Sequence, residues 1–211
     1  MSEPTSRRSK VRRLPDRAAY DRDTVHAILD AAWLCHVAFV EDGQPFSMPT
    51  LYARDGERLL LHGSPGSRLA RLLAAGGEVC VSVAMVDGLV LARSVFHHSV
   101  NYRSVVVFGH GAPIEEPEAR LAALRVIVEH IAPGRWGDAR LPNETELRQT
   151  AVLALTIDEA SAKLRDGGPK DDDADYALPV WAGVVPLTLT AGEPRADERL
   201  GEVPLPDYLR R

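Results

Sequence analysis

Hydrophobic and polar positions follow two periodicities, and their order along the chain sets the expected architecture. Val25, Ile28, Leu29 and Ala32 recur at helical spacing behind Asp21 and Asp23, either of which can cap a helix over residues 21–32. The pattern then turns to short runs rich in β-formers: residues 34–40, 46–53 and 58–62, separated by Asp42-Gly43 and Asp55-Gly56, the dipeptides of tight hairpins. A helix over residues 64–75 follows, with Ser64 as cap, Pro65 in the first turn, Leu69, Leu72 and Leu73 as its stripe and Gly76-Gly77 as its stop. Residues 79–85 are apolar almost throughout, and residues 89–96 and 102–110 read as a hairpin about Ser99-Val100-Asn101. Leu121, Leu124, Val128 and Ile131 mark a helix over residues 117–131. A short helix over 144–149, a strand over 151–157 and an extended segment over 179–189 complete the pattern.

Successive strands are thus joined by tight turns rather than by crossover helices. That order predicts a mainly β, antiparallel barrel or sheet with peripheral helices, not a doubly wound parallel sheet. The chain of 211 residues with 45% hydrophobic content has material for one sizeable core. The expected organisation is a basic flexible arm over residues 1–20, one domain over 21–190 and a tail over 191–211. A net charge of −5 gives no general attraction to nucleic acid or to an anionic membrane, and no apolar run is long enough to span a bilayer. The arginines of the arm are followed by charged residues rather than by an apolar stretch, which argues against an export signal and for a cytoplasmic protein. Cys35 and Cys80 lie in apolar segments and read as buried thiols. Asp171, Asp172, Asp173 and Asp175 read as a solvated linker, with no metal site expected.

Three segments carry candidate chemistry. In His62-Gly63-Ser64-Pro65-Gly66-Ser67-Arg68 a strand ends, a turn of small residues follows and a helix begins, so amides, two hydroxyls and a guanidinium converge where an anion could bind. The alternative is an ordinary capped helix. In Asn101-Tyr102-Arg103-Ser104-Val105, an arginine inside a strand needs a carboxylate or a ligand. In Val180-Trp181-Ala182-Gly183, an indole beside small residues suits packing on a flat ring, or simple core. There is no G-x-x-x-x-G-K, no G-x-G-x-x-G, no G-x-S-x-G and no H-x-x-x-H or C-x-x-C spacing. His97 and His98, adjacent on an expected strand, would point to opposite faces.

Taken in order, these segments resemble the pyridoxamine 5′-phosphate oxidase superfamily of FMN-binding split barrels over about residues 19–187, in its flavin-nucleotide-binding and nitroimidazole-resistance-like branch. Ser67-Arg68-Leu69 stands where the oxidase has the S-R-K that holds the FMN phosphate, with Leu69 replacing lysine. Arg103-Ser104-Val105 resembles R-Q-V, with Ser104 replacing the glutamine that touches the flavin. Trp181 and Gly183 match W-x-G-x-x-x-P, with Pro186 one residue early. The strand carrying Pro49, Thr50 and Leu51 resembles the one that runs beside the flavin. The resemblance therefore implies an FMN-dependent oxidoreductase acting on a small molecule. Pro49, Thr50, Leu51, His62, Gly63, Ser64, Ser67, Arg68, Arg103, Ser104 and Trp181 would bind the cofactor, and His36 is the candidate catalytic residue. It also implies a homodimer with FMN at the interface. The alternatives it leaves open are a flavin- or haem-binding protein without turnover and a deazaflavin-dependent reductase.

Overall fold

The computed structural model describes residues 3–210. Its strands are β1 (Ala18–Ala19), β2 (Leu34–Glu41), β3 (Gln44–Asp55), β4 (Arg58–Gly63), β5 (Glu78–Leu91), β6 (Ser99–Pro113), β7 (Ala151–Thr156), β8 (Glu159–Arg165) and β9 (Gly183–Pro186). The helices are α1 (Arg22–Asp30), α2 (Arg68–Ala74), α3 (Pro117–Ile131), α4 (Arg135–Asp138) and α5 (Glu144–Arg148). Every pairing is antiparallel. The order β6-β7-β4-β3-β2-β5 returns to its start because β5 also pairs with β6 from Glu78–His110 to Val90–Ser99. A ring of six strands results, with β8 and β1 added outside β6, and β9 outside β5.

Local chemistry makes the ring. Asp42 and Gly43 both adopt left-handed φ, 52° and 75°, so Glu41 pairs directly with Gln44 across a two-residue turn whose twist suits the strands. Alternation then sorts the side chains. Cys35, Val37 and Phe39 of β2, Val79, Val81 and Val83 of β5, and Val105 and Val107 of β6 are buried inside the ring with Leu59, Leu61, Leu153 and Leu155. Helix α1 adds Val25, Ile28 and Leu29 to this core, and α2 adds Leu69, Ala70 and Leu73. Each such side chain contributes about 1.5–3 kcal/mol of transfer free energy. A second core lies outside the ring, where Ala123 and Ile127 of α3 cover Ala53, Leu60 and Val152. The buried face of α3 centres on Ala123 and Ile127, with Leu124 and Ile131 of the expected stripe packed at its margin. Both cysteines are free, and burial raises the Cys35 thiol to about 12.

The structure corrects several expected elements. Helix α2 starts at Arg68, not at Ser64. Ser67 caps it by accepting the Ala70 amide, while Ser64 accepts the Gly66 amide in the preceding turn. The two expected strands over 79–96 are one strand, β5. A bulge at Asp87 interrupts its register with β6 without breaking it, and a Cβ on Gly88 would sit 3.1 Å from Val184 on β9. Asn101 is buried within β6 instead of turning a hairpin. Strand β8 was not expected at all. His97 closes a 3-10 turn (Val95–His97) and His98 follows it, so neither lies on a strand. The basic arm is held at Arg8, which pairs with Glu78 and Glu159 and lies 5.0 Å over the Phe108 ring, while Ser9 is buried. The tail folds back so that Tyr208 packs on Gly134 and donates to Asp138.

Asp171 is the largest departure from expectation. Its carboxylate has no exposed surface. It accepts the amides of Arg93 (2.8 Å) and Ser94 (3.3 Å) and pairs with the Arg93 guanidinium (3.0 Å), tying the segment after β8 to the turn after β5. Burial pushes its pKa up, but those three donors outweigh it and hold the carboxyl below its ordinary 3.8.

Two measurements check this architecture. The Tyr52 hydroxyl is buried, donates to the Leu29 carbonyl and so fastens α1 to the ring. Tyr52→Phe leaves that carbonyl unpaired and should cost about 1–3 kcal/mol in urea unfolding; an unchanged midpoint would show the bond to be dispensable. For Asp171 the folded pKa lies below the unfolded one, so its contribution is present above the unfolded value and is lost as pH falls through the folded one. Below about pH 4 the urea midpoint of the wild type should therefore fall more steeply than that of Asp171→Asn. Parallel profiles would contradict the charge-dependent clamp.

Candidate functional site

The outward positions of β2, β3, β5 and β6 gather several sequence-distant candidates into one row. Leu51 pairs with Leu34, and Ala84 pairs with Ser104. Because His36 pairs with both Pro49 and Ser82, continuing the β2–β5 register places Leu34 beside Ala84. Leu51, Leu34, Ala84 and Ser104 thus run across four strands, with Pro49, His36, Ser82 and Val106 in the next row of the same face. Leu34, His36, Pro49 and Leu51 are exposed. Thr50 instead shares its register with buried Cys35, and its hydroxyl donates to the Leu51 carbonyl. The Ser104 hydroxyl donates to the Lys163 carbonyl at 3.2 Å. His36 makes no side-chain hydrogen bond to the described residues.

The turn after β4 adjoins this face. Leu61 pairs with Tyr52, so His62 lies level with Leu51. His62 Nδ1 is buried and has no hydrogen-bond partner among the described residues. Gly63 has open space where a Cβ would stand, so a ligand can approach the backbone there. The rest of the expected anion site is occupied internally. Arg68 Nε pairs with Glu41 Oε2 at 2.6 Å, and its guanidinium stacks 3.9 Å from the Phe46 ring centre, directing it to the hairpin end of β2 and β3. Arg71, which the sequence reading passed over, donates to the Gly66 carbonyl at 2.6 Å and brings a second guanidinium to this turn. Its position three residues after Arg68 was the available signal.

Arg103 is in a different place. It forms a two-point pair with Asp87, at 2.9 and 2.7 Å, and that bond raises its pKa. The pair borders a cavity of about 560 Å³ lined also by Trp33, Met85, Leu187 and Leu189. Trp181 packs over Gly183, which pairs with Leu91. The indole is 65% exposed, so it is not core. Two residues beyond Leu91 begins the turn that Asp171 clamps, with Val95 at 87% and Phe96 at 88% exposure, and Arg93 stacked on Tyr176. This turn, which also carries His97 and His98, is the main feature that sequence reasoning did not associate with the acidic segment. Among the described residues no group of three His, Cys, Asp or Glu side chains is placed to hold a metal ion by itself. No helix among them is long and apolar enough to cross a membrane.

Comparison with known proteins places this arrangement. Residues 21–164 match the family model described as pyridoxamine 5′-phosphate oxidase. The structure of the flavocytochrome Anf3 from Azotobacter vinelandii is 40% identical, with 99% of this chain and 98% of that one aligned at a TM-score of 0.93. The FAD and haem binding protein from Mycobacterium smegmatis is 39% identical over 92% of this chain and 96% of that one, with a TM-score of 0.88. A protein from Bacteroides thetaiotaomicron assigned to 5-nitroimidazole antibiotic resistance is 22% identical over 69% of this chain and 85% of that one, and its TM-score of 0.59 speaks to fold alone. No curated protein sequence matches the chain. By the family match over most of its length, and by the split-barrel ring that carries it, the chain belongs to the pyridoxamine 5′-phosphate oxidase family.

Proposed function

We propose that this protein binds a flavin and a haem together and acts as an oxidoreductase that passes electrons between a small-molecule partner and these two groups. The observation that carries the reading is the 40% identity to a flavocytochrome over 99% of the chain, joined by a second relative near that identity that binds FAD and haem. When bound, a flavin exchanges one or two electrons and a haem exchanges one, so the pair can link two-electron and one-electron partners.

The residues present fit a flavin. His62 Nδ1 is a buried polar atom with no partner among the described residues, which is costly unless a ligand supplies the missing bond. Beside it are the open backbone at Gly63 and the flat apolar row of Leu51 and Leu34, suited to a ring. The resemblance to the oxidase implied FMN, on the strength of a single phosphate-binding turn. With Arg68 held by Glu41 and Arg71 turned to the same loop, that argument no longer favours one phosphate over two, and the FAD-binding relative favours FAD. Exposed Leu34, Val40, Leu51 and Val86 on the outer face fit coverage by a second copy of the chain, so the active unit in this reading is a homodimer.

Two experiments check the reading. Protein produced with ample flavin and iron should carry both chromophores, and denaturation should release FAD, identified by mass, together with haem. A protein that retains neither after reconstitution would contradict the proposal, and release of FMN alone would return it to the oxidase pattern. For the phosphate turn, Arg68→Ala should weaken FAD about tenfold while leaving riboflavin binding unchanged, and Glu41→Gln, by freeing Arg68, should tighten FAD. Equal effects on riboflavin and FAD would remove Arg68 from the site.

A further inference from the structure

We propose that His98 is the haem ligand of this protein, through its Nε2, on an apolar turn clamped by Asp171. The inference rests on the haem half of the reading above and assigns it a place in the chain.

The histidines differ in what their ring nitrogens do. His130 Nε2 bonds to the Ala32 carbonyl at 2.8 Å. His97 Nε2 faces the Asp172 carboxylate at 3.4 Å. His26 Nε2 is buried near Glu57. His98 Nδ1 lies 3.0 Å from the Ser94 carbonyl. A carbonyl only accepts, so Nδ1 carries the proton and Nε2 keeps its lone pair, on an exposed residue and without a hydrogen-bond partner among the described residues. A histidine whose far nitrogen donates to a backbone carbonyl is fixed in the tautomer and orientation that a metal requires. His110 makes a similar bond to Gly76, but its Nε2 faces Glu78 at 3.8 Å amid the charges of Arg8 and Glu159. That is a poor setting for a porphyrin. His36 is exposed on a strand but has no second bond to orient it.

The surroundings of His98 suit a large apolar disc. Val95 and Phe96 stand almost fully in solvent on the same turn, and Tyr176, which lies against Arg93, is exposed as well. So much exposed apolar surface is costly unless something covers it. The turn is also built to hold still. Ser94 Oγ accepts the Phe96 amide, the Ser94 carbonyl accepts the His97 amide as well as His98 Nδ1, and Asp171 fixes the amides of Arg93 and Ser94. Asp171 is therefore a positioning residue for His98, acting through Ser94. Arg93 Nε is a buried donor with no partner at the same turn, and a propionate is one group that could satisfy it.

The test is haem uptake by purified, flavin-loaded protein, read by visible absorption. His98→Ala should lose at least tenfold in haem affinity while keeping its flavin, and added imidazole should restore the wild-type spectrum by replacing the missing ring. His98→Met should retain haem with an altered spectrum and a higher potential, because a thioether replaces an imidazole. Asp171→Asn should weaken haem about tenfold without changing the spectrum of what is bound. His97→Ala should bind as the wild type does. Wild-type haem content and spectrum in His98→Ala would overturn the assignment while leaving the haem reading intact. Wild-type protein that takes up flavin but no haem would overturn both.

Discussion

Closure of the strand ring through the β5–β6 pairing is the constraint on which the rest depends. Once β5 bonds β2 on one side and β6 on the other, most inward positions belong to a single apolar core. Chemistry is therefore confined to outward positions and to the turns at strand ends. Leu34, His36, Pro49, Leu51 and Ser104 share an outer face for this reason, although they come from three separate stretches of the chain. The same constraint explains why the bulge at Asp87-Gly88 matters. It keeps β5 in one piece while turning it far enough to carry β9, and with β9 the segment bearing Trp181.

Polar groups at the edges of the ring do the positioning. Asp171 reaches across to the end of β5 and orders a turn that would otherwise be a loose connection, Asp87 holds Arg103, and Glu41 holds Arg68. These pairs differ in character. The Asp171 carboxylate is closed off from solvent and held by backbone amides, so it is a fixed part of the architecture. The Arg68–Glu41 pair is partly exposed and made of two flexible side chains, so it can exchange one anion for another at small cost.

Much of the fold was legible in the sequence because alternation and turn dipeptides are local. Asp42-Gly43 and the runs on either side of it specify β2, β3 and their register without tertiary help. What was missed depends on long-range partners. Strand β8, built on Glu159-Ala160-Ser161-Ala162, has no bias toward strand and becomes one by pairing along β6. Residues 79–85 and 89–96 read as two strands, and only the continuous partner β6 makes one strand of them with a bulge between Val86 and Gly88. The acidic run containing Asp171 reads as solvated, and only Arg93, 78 residues earlier, shows otherwise. The site divides the same way. The family motifs marked His62, Arg68, Arg103 and Trp181, but the sequence did not show that Arg68 faces Glu41 or that Asp171 holds the turn carrying His98.

If one chain holds a flavin and a haem, as proposed, counting electrons reveals both. An anaerobic reductive titration of the fully loaded protein, followed by absorption, should consume about three electrons per chain, two entering the flavin and one the haem. Consumption of about two, with only flavin bands changing, would describe a flavoprotein without haem and overturn the proposed pairing of cofactors.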